Sequence, residues 1–194
     1  MIKTDTWIRQ MALEHQMITP FVEQQKQVGV VSYGLDSTGY DIRLSRHFKR
    51  PNYLYSIGDP HDASIESRYK GEISGDRRIV VPPGEYVLVS SLETFKIPRN
   101  IHVRGIGKST YARIGLITNI ADTEPEYEGK LTFSLVNPTR WPIHVYAEQG
   151  IASLKFYETD GNCETSYAEK GGKYQGTSDA AVAKIKKEEQ EGDL

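Results

Sequence analysis

Between Gly107 and Arg113 the chain reads Gly-Lys-Ser-Thr-Tyr-Ala-Arg. A glycine, a lysine, paired hydroxyls and an arginine packed this closely form an anion-binding set. The spacing predicts a turn into a short helix, with the Ser109 and Thr110 hydroxyls, backbone N–H groups and Arg113 facing a phosphate. The competing reading is a surface turn whose arginine pairs with a glutamate. A Walker A loop is excluded: it needs a glycine five residues before its second glycine, and His102 stands there. No βαβ pattern surrounds the segment either.

A second group of reactive side chains follows. Ile120-Ala121-Asp122-Thr123-Glu124 leads into Pro125-Glu126-Tyr127-Glu128-Gly129. Asp122, or alternatively Glu124, is of the right type to take a proton from water; a solvated acidic turn is the simpler alternative. Ser32 to Arg43 is dense in Gly, hydroxyls and charges, and reads as a hairpin with Asp41 paired to Arg43. The single Cys163 excludes an internal disulfide and a multi-cysteine zinc site, and the five histidines lack metal-ligand spacing. No protein-held metal is expected. A Ser-His-Asp arrangement cannot be read from residue order. Near the C-terminal end, Tyr167 to Gly176 interleaves Tyr, Lys and Gln in a polar, glycine-containing stretch.

These groups must be positioned by a chain of 194 residues, a length that suits one domain with a proper core. Hydrophobic residues make up 38% and charged residues 26%, ordinary for a globular protein. A net charge of -2 gives no general basic field, so nucleic-acid binding is not expected. No apolar run approaches the roughly 18 residues needed to span a bilayer, and no signal core precedes the first element. No membrane association is therefore expected, and a reducing cytoplasm suits the lone cysteine. Residues 4–16 have helical spacing with Asp5 as N-cap, and Pro20 ends that element. Short strands then recur: Val28 to Tyr33, Tyr40 to Leu44, Ile79 to Val81, Tyr86 to Ser90, Phe95 to Pro98, Leu131 to Val136, Ile143 to Tyr146 and Ile151 to Phe156. Gly and Pro fall between nearly all of them. The pattern predicts a mainly β fold, a compact sandwich or barrel with a short N-terminal helix. Residues 1–176 read as one domain and residues 177–194 as a charged C-terminal tail.

Several segments in order resemble the deoxycytidine triphosphate (dCTP) deaminase family, which shares its fold with trimeric deoxyuridine triphosphatases (dUTPases). They are Met17 to Phe21, Ser32 to Arg43, Pro82-Pro83-Gly84, Phe95 to Arg99, Gly107 to Gly115, Glu124 to Gly129, Cys163 to Tyr167 and Gly171 to Gly176. The resemblance implies a distorted β-barrel or jelly-roll-like, dUTPase-type fold. It also implies a homotrimer with active sites at subunit interfaces. The substrate would be a pyrimidine deoxynucleoside triphosphate. Lys108, Ser109, Thr110 and Arg113 would hold its phosphates, while Tyr167, Lys173 and Gln175 would close over it. Mg²⁺ would enter with the triphosphate and no zinc would be needed. Lys108 stands where many relatives carry arginine, keeping the charge without the planar fork.

One position departs from that pattern. Relatives without zinc carry a catalytic glutamate five residues beyond the glycine of the acidic turn, and counting from Gly129 gives Ser134. A serine hydroxyl is a weak base unless another group activates it. The related diphosphatases activate water with an aspartate ahead of a similar turn, which Asp122 resembles at a spacing two residues longer. Three activities are thus open: dCTP deamination despite Ser134, diphosphate release from dUTP, dCTP or a modified pyrimidine nucleotide, and nucleotide binding without chemistry.

Overall fold

A computed structural model describes residues 1–24, 28–52, 58–62 and 64–184. The charge run from residue 185 onward lies outside them. Helix α1 (Asp5–His15) is followed by strands β1 (Ile18–Thr19), β2 (Gly34–Asp36) and β3 (Gly39–Pro51). A 3₁₀ turn (Ile65–Arg68) leads to β4 (Tyr69–Ile73), β5 (Arg78–Val81), β6 (Tyr86–Lys96) and β7 (Ile101–Gly107). The one-turn helix α2 (Ser109–Ala112) precedes β8 (Ile117–Asn119), β9 (Glu128–Val136), β10 (Ile143–Tyr146) and β11 (Gly150–Glu158).

All pairings of these strands are antiparallel. The main sheet runs β7-β11-β3-β6-β9-β8, with β1 on β6 and with β2 and β4 on β3; β10 and β5 form a separate pair. The two ends of the main sheet meet. Val103 on β7 exchanges backbone hydrogen bonds of 3.0 and 2.8 Å with Thr123, just beyond β8. The sheet thereby closes into a distorted barrel, which leaves few bare edges. Its interior is one apolar cluster that includes Tyr40, Ile42, Phe95, Phe133 and Phe156. The alternation expected of a half-buried strand is clear in β9, where Gly129, Leu131, Phe133 and Leu135 turn inward. Lys130, Thr132, Ser134 and Val136 therefore share the opposite face.

The mainly β fold with a short N-terminal helix is as expected, but several local expectations need correction. Thr4, not Asp5, is the N-cap of α1. The Asp5 N–H donates to Ser37 O at 3.0 Å, and this docking onto the β2–β3 turn starts the helix one residue early. Val28 to Tyr33 is not a strand: Val28 is fully exposed, and the Val31 N–H donates to the Gln149 side chain instead of to a ladder. Strand β7 was not foreseen, because Gly105 and Gly107 break its pattern. Ile120 and Thr118 explain both glycines, since an added Cβ would lie 2.5 Å from an Ile120 methyl and 3.0 Å from Thr118. Tyr86 to Lys96 is one strand rather than two, irregular between Ser90 and Thr94 where Glu93 turns into the interior. Asp41 and Arg43 do not pair; Arg43 binds Glu93 and Asp41 binds Lys108.

Candidate active site

The anion-binding segment sits where β7 ends. Lys108 has extended backbone (φ -66°, ψ 137°), and its carbonyl accepts from the Tyr111 and Ala112 N–H groups to start α2. Gly115, at φ 89°, lets the chain leave the helix in a conformation that other residues adopt at a cost. Tyr111 anchors the turn: it is buried, its hydroxyl accepts from the Tyr146 N–H at 3.2 Å, and burial raises its pKa. With Tyr111 turned inward, Ser109, Thr110 and Arg113 are all exposed. Among the described residues none of their side chains has a hydrogen-bond or ion-pair partner. The expected glutamate partner of Arg113 is not found there. Lys108 differs, since its ammonium donates to Asp41 and to Ser32 Oγ.

A cavity of about 380 Å³ lies between the residue 120–124 segment, β9 and the C-terminal residues 181–183. Asp122, Glu124, Thr132, Tyr167 and Tyr174 line it. Asp122 Oδ2 is 3.3 Å from His102 Nε2, and Glu124 is ion-paired with Lys170. Tyr167 stacks edge-on against Tyr127 (centroids 5.6 Å, 61°) and accepts a 3.0 Å bond from the Tyr174 N–H. Burial pushes the Tyr127 hydroxyl up to about 12. The glycine at 172 is a necessity: an added Cβ would lie 2.0 Å from the Tyr167 ring.

Gln175 faces a second cleft of about 430 Å³ with Lys96, Arg99 and Glu126. Its amide is tied to backbone, accepting from Glu128 N–H and donating to Glu126 O. Lys173 is exposed, its ammonium 5.8 Å from the Tyr174 ring centroid. Ser134 lies opposite Leu88 on β6 and Asn119 on β8. It is half-buried, and no base among the described residues lies within hydrogen-bond reach of its hydroxyl. No hydrogen bond or ion pair among the described residues joins Ser109, Thr110 or Arg113 to Tyr167, Lys173 or Gln175. The structure brings Asp122, Glu124 and Tyr167 together around one cavity, and Ser109, Thr110 and Arg113 are not in its lining.

The sequence profile of the dCTP deaminase-like family matches residues 2–159. A dCTP deaminase of Chloroflexus aggregans is 45% identical over 185 residues, covering 95% of this chain and 98% of that protein. The chain belongs to the dCTP deaminase-like family. Another relative, a dCTP deaminase of Chlamydia caviae, is 47% identical over 181 residues, 90% of this chain and 94% of its own. In fold, this dCTP deaminase-like chain matches the crystal structure of a 2'-deoxycytidine 5'-triphosphate deaminase from Agrobacterium tumefaciens. That match has a TM-score of 0.60 at 16% identity and covers 80% of this chain and 46% of that one. The chain thus spans about half the length of that solved structure.

Three features around the candidate site are not expected from the sequence. Arg99 holds the Cys163 to Glu169 loop through the Cys163 and Glu164 carbonyls and a two-pronged bond to Glu169, whose carboxyl it holds down at about 2. His102 partners Asp122. Residues beyond 176 are part of the packing: Thr177 bridges Gly129, Asp179 binds Ser90 Oγ at 3.1 Å, and Ala180 and Val182 are buried. The apolar Ala180-Ala181-Val182 run was the available signal for that contact. No helix among the described residues is long and apolar enough to cross a membrane.

Proposed function

We propose that this chain binds a pyrimidine deoxynucleoside triphosphate and deaminates dCTP to dUTP and ammonia. The observation that carries this reading is the 45% identity, over 95% of the chain, with proteins named dCTP deaminase. The exposed hydroxyls of Ser109 and Thr110 and the Arg113 guanidinium, which has no partner among the described residues, supply donors for phosphate oxygens. Tyr167 and Tyr174 supply apolar walls for the nucleoside, and the exposed Lys173 adds charge near the phosphates. Mg²⁺ fits this donor set as an ion carried by phosphate oxygens and water, because the phosphate set offers donors and no carboxylate cage. When bound it neutralises phosphate charge. The reading places the site at the interfaces of a homotrimer in the cytoplasm. The absence, among the described residues, of any hydrogen bond or ion pair between the phosphate-type set and the Tyr167, Lys173 and Gln175 side chains supports completion of each site by a second copy. So do the exposed Ile106, Ile114 and Ile117 around β7 and β8.

In deamination a water oxygen adds to C4 while its proton passes toward N3 and the departing amine; ammonia leaves and a carbonyl remains. Ser134 cannot take that proton unaided. The reaction is expected to run about 10²–10⁴ slower than with a carboxylate at this position. A second reading is favoured by the Asp122–His102 pair at the cavity: hydrolysis of the triphosphate to monophosphate and diphosphate, with Asp122, or Glu124 once free of Lys170, activating water. Incubation with dCTP, and separately dUTP, in Mg²⁺ distinguishes them by ion-exchange separation of products. Appearance of dUTP and ammonia supports deamination, monophosphate supports the second reading, and unchanged nucleotides with tight binding leave a non-catalytic binding protein.

A further inference from the structure

Lys108 has the sequence position of a phosphate ligand and the surroundings of a structural brace. Its side chain is 11% exposed, and that of its partner Asp41 is 17% exposed. The ammonium donates to the Asp41 carboxylate and, at 3.2 Å, to Ser32 Oγ. The main chain is equally fixed, because Lys108 N–H donates to Ile151 O at 3.1 Å while its carbonyl starts α2. The aliphatic stem passes over Gly150, where an added Cβ would lie 3.0 Å from Lys108 Cδ and 2.0 Å from Ser32 O. Three parts of the barrel converge on this residue: β7, the start of β11, and β3 with the segment leading into β2. The geometry is repeated next door by Lys155, which reaches Asp36 and Thr38 across the same hairpin. Arg113, one turn further on, is exposed and without a partner among the described residues.

We infer that Lys108 is a positioning residue, fixing Ser109, Thr110 and Arg113 onto the β2–β3 hairpin through Asp41 and Ser32, and that Arg113 carries the charge that meets the phosphates. This rests on the reading of the segment as a triphosphate site. A largely desolvated, mutually satisfied pair holds its geometry because releasing either partner leaves the other's charge without its counter-ion. Turning Lys108 outward to a ligand would strand Asp41 in this way.

The test is calorimetric titration with dCTP, and separately with inorganic tripolyphosphate, on wild type, Asp41→Asn, Lys108→Met, their double variant and Lys108→Arg. Melting temperatures are recorded to confirm folding. Asp41→Asn is expected to weaken triphosphate binding about tenfold even though it frees a cation beside the loop. Lys108→Met weakens it at least as much, and the double variant is no weaker than the worse single variant, since both act through one contact. Lys108→Arg, which reaches the same carboxylate, retains most of the affinity. Ser32→Ala, the mildest change, gives a smaller loss in the same direction and serves if Asp41→Asn fails to fold. Equal or tighter tripolyphosphate binding by Asp41→Asn, or by Ser32→Ala in its place, would overturn the inference and make Lys108 a direct ligand. Failure of folded wild type to bind any triphosphate would overturn the phosphate-site reading as well.

Discussion

Replacing Arg43 by methionine isolates a fully buried charge. Glu93 has no exposed side-chain surface, and Arg43 is 13% exposed. Glu93 accepts from Arg43 Nε at 2.7 Å and from the Arg43 backbone N–H at 3.0 Å. Arg43 also donates to Pro20 O and lies over the Tyr33 ring. Methionine keeps the stem and the backbone bond and removes the guanidinium. Stranding one member of such a pair costs about 3–5 kcal/mol. For a chain of this size each kcal/mol moves the melting temperature by about 2–4 °C, giving a fall of about 6–20 °C at neutral pH. The sign of the pH effect follows from Glu93. Burial raises its pKa, and the hydrogen bonds and charge of Arg43 pull it part of the way back. An acid whose folded pKa is above its unfolded value favours folding when protonated, so its contribution declines as pH rises between the two values. Without Arg43 the folded pKa rises further and that window extends upward. The gap between variant and wild type should therefore widen from pH 5 to pH 8. Thermal unfolding at fixed protomer concentration reads this directly. A gap that stays constant or narrows as pH rises, or a fall of under about 2 °C at neutral pH, would refute the account of Glu93 as a buried charge held chiefly by Arg43.

Ser134→Glu restores a carboxylate on the outer face of β9 and should raise ammonia release from dCTP by about 10²–10⁴; no gain would remove Ser134 from the reacting site. Arg113→Ala should weaken dCTP binding by about ten- to a hundredfold with little change in melting temperature, because the side chain is exposed and unpartnered among the described residues. Gly150→Ala should cost about 1–3 kcal/mol in urea unfolding, since the new methyl must displace backbone at Ser32 and the Lys108 stem; a neutral result would contradict the packing there.

The elements that were legible are those whose reason is local. Ile143 to Tyr146 alternates cleanly and is β10, Tyr111 between hydroxyls and Arg113 gives α2, and Ile8 with Ala12 marks the buried face of α1. The family resemblance was legible in the same way, through short segments whose order and spacing survive in the linear chain. What the sequence could not express is choice among partners. Asp41 and Arg43, two residues apart on one strand, suggested a mutual pair, yet the barrel offers each a partner from a distant element, the buried Glu93 for Arg43 and the part-buried Lys108 for Asp41. Composition alone reads Lys108 as a phosphate ligand; the pairing of β11 with both β7 and β3, which brings Asp41 to it, supplies the partner that the linear chain does not show. Strand β7 became a strand because Thr118 and Ile120 fill the space its glycines leave, a packing fact with no local signature. The sequence by itself determined residue chemistry, the β-rich pattern and the serine at position 134. The tertiary structure decided which charges are spent on each other and which, like Arg113, have no partner among the described residues, because desolvation makes that choice and burial exists only once the chain has folded.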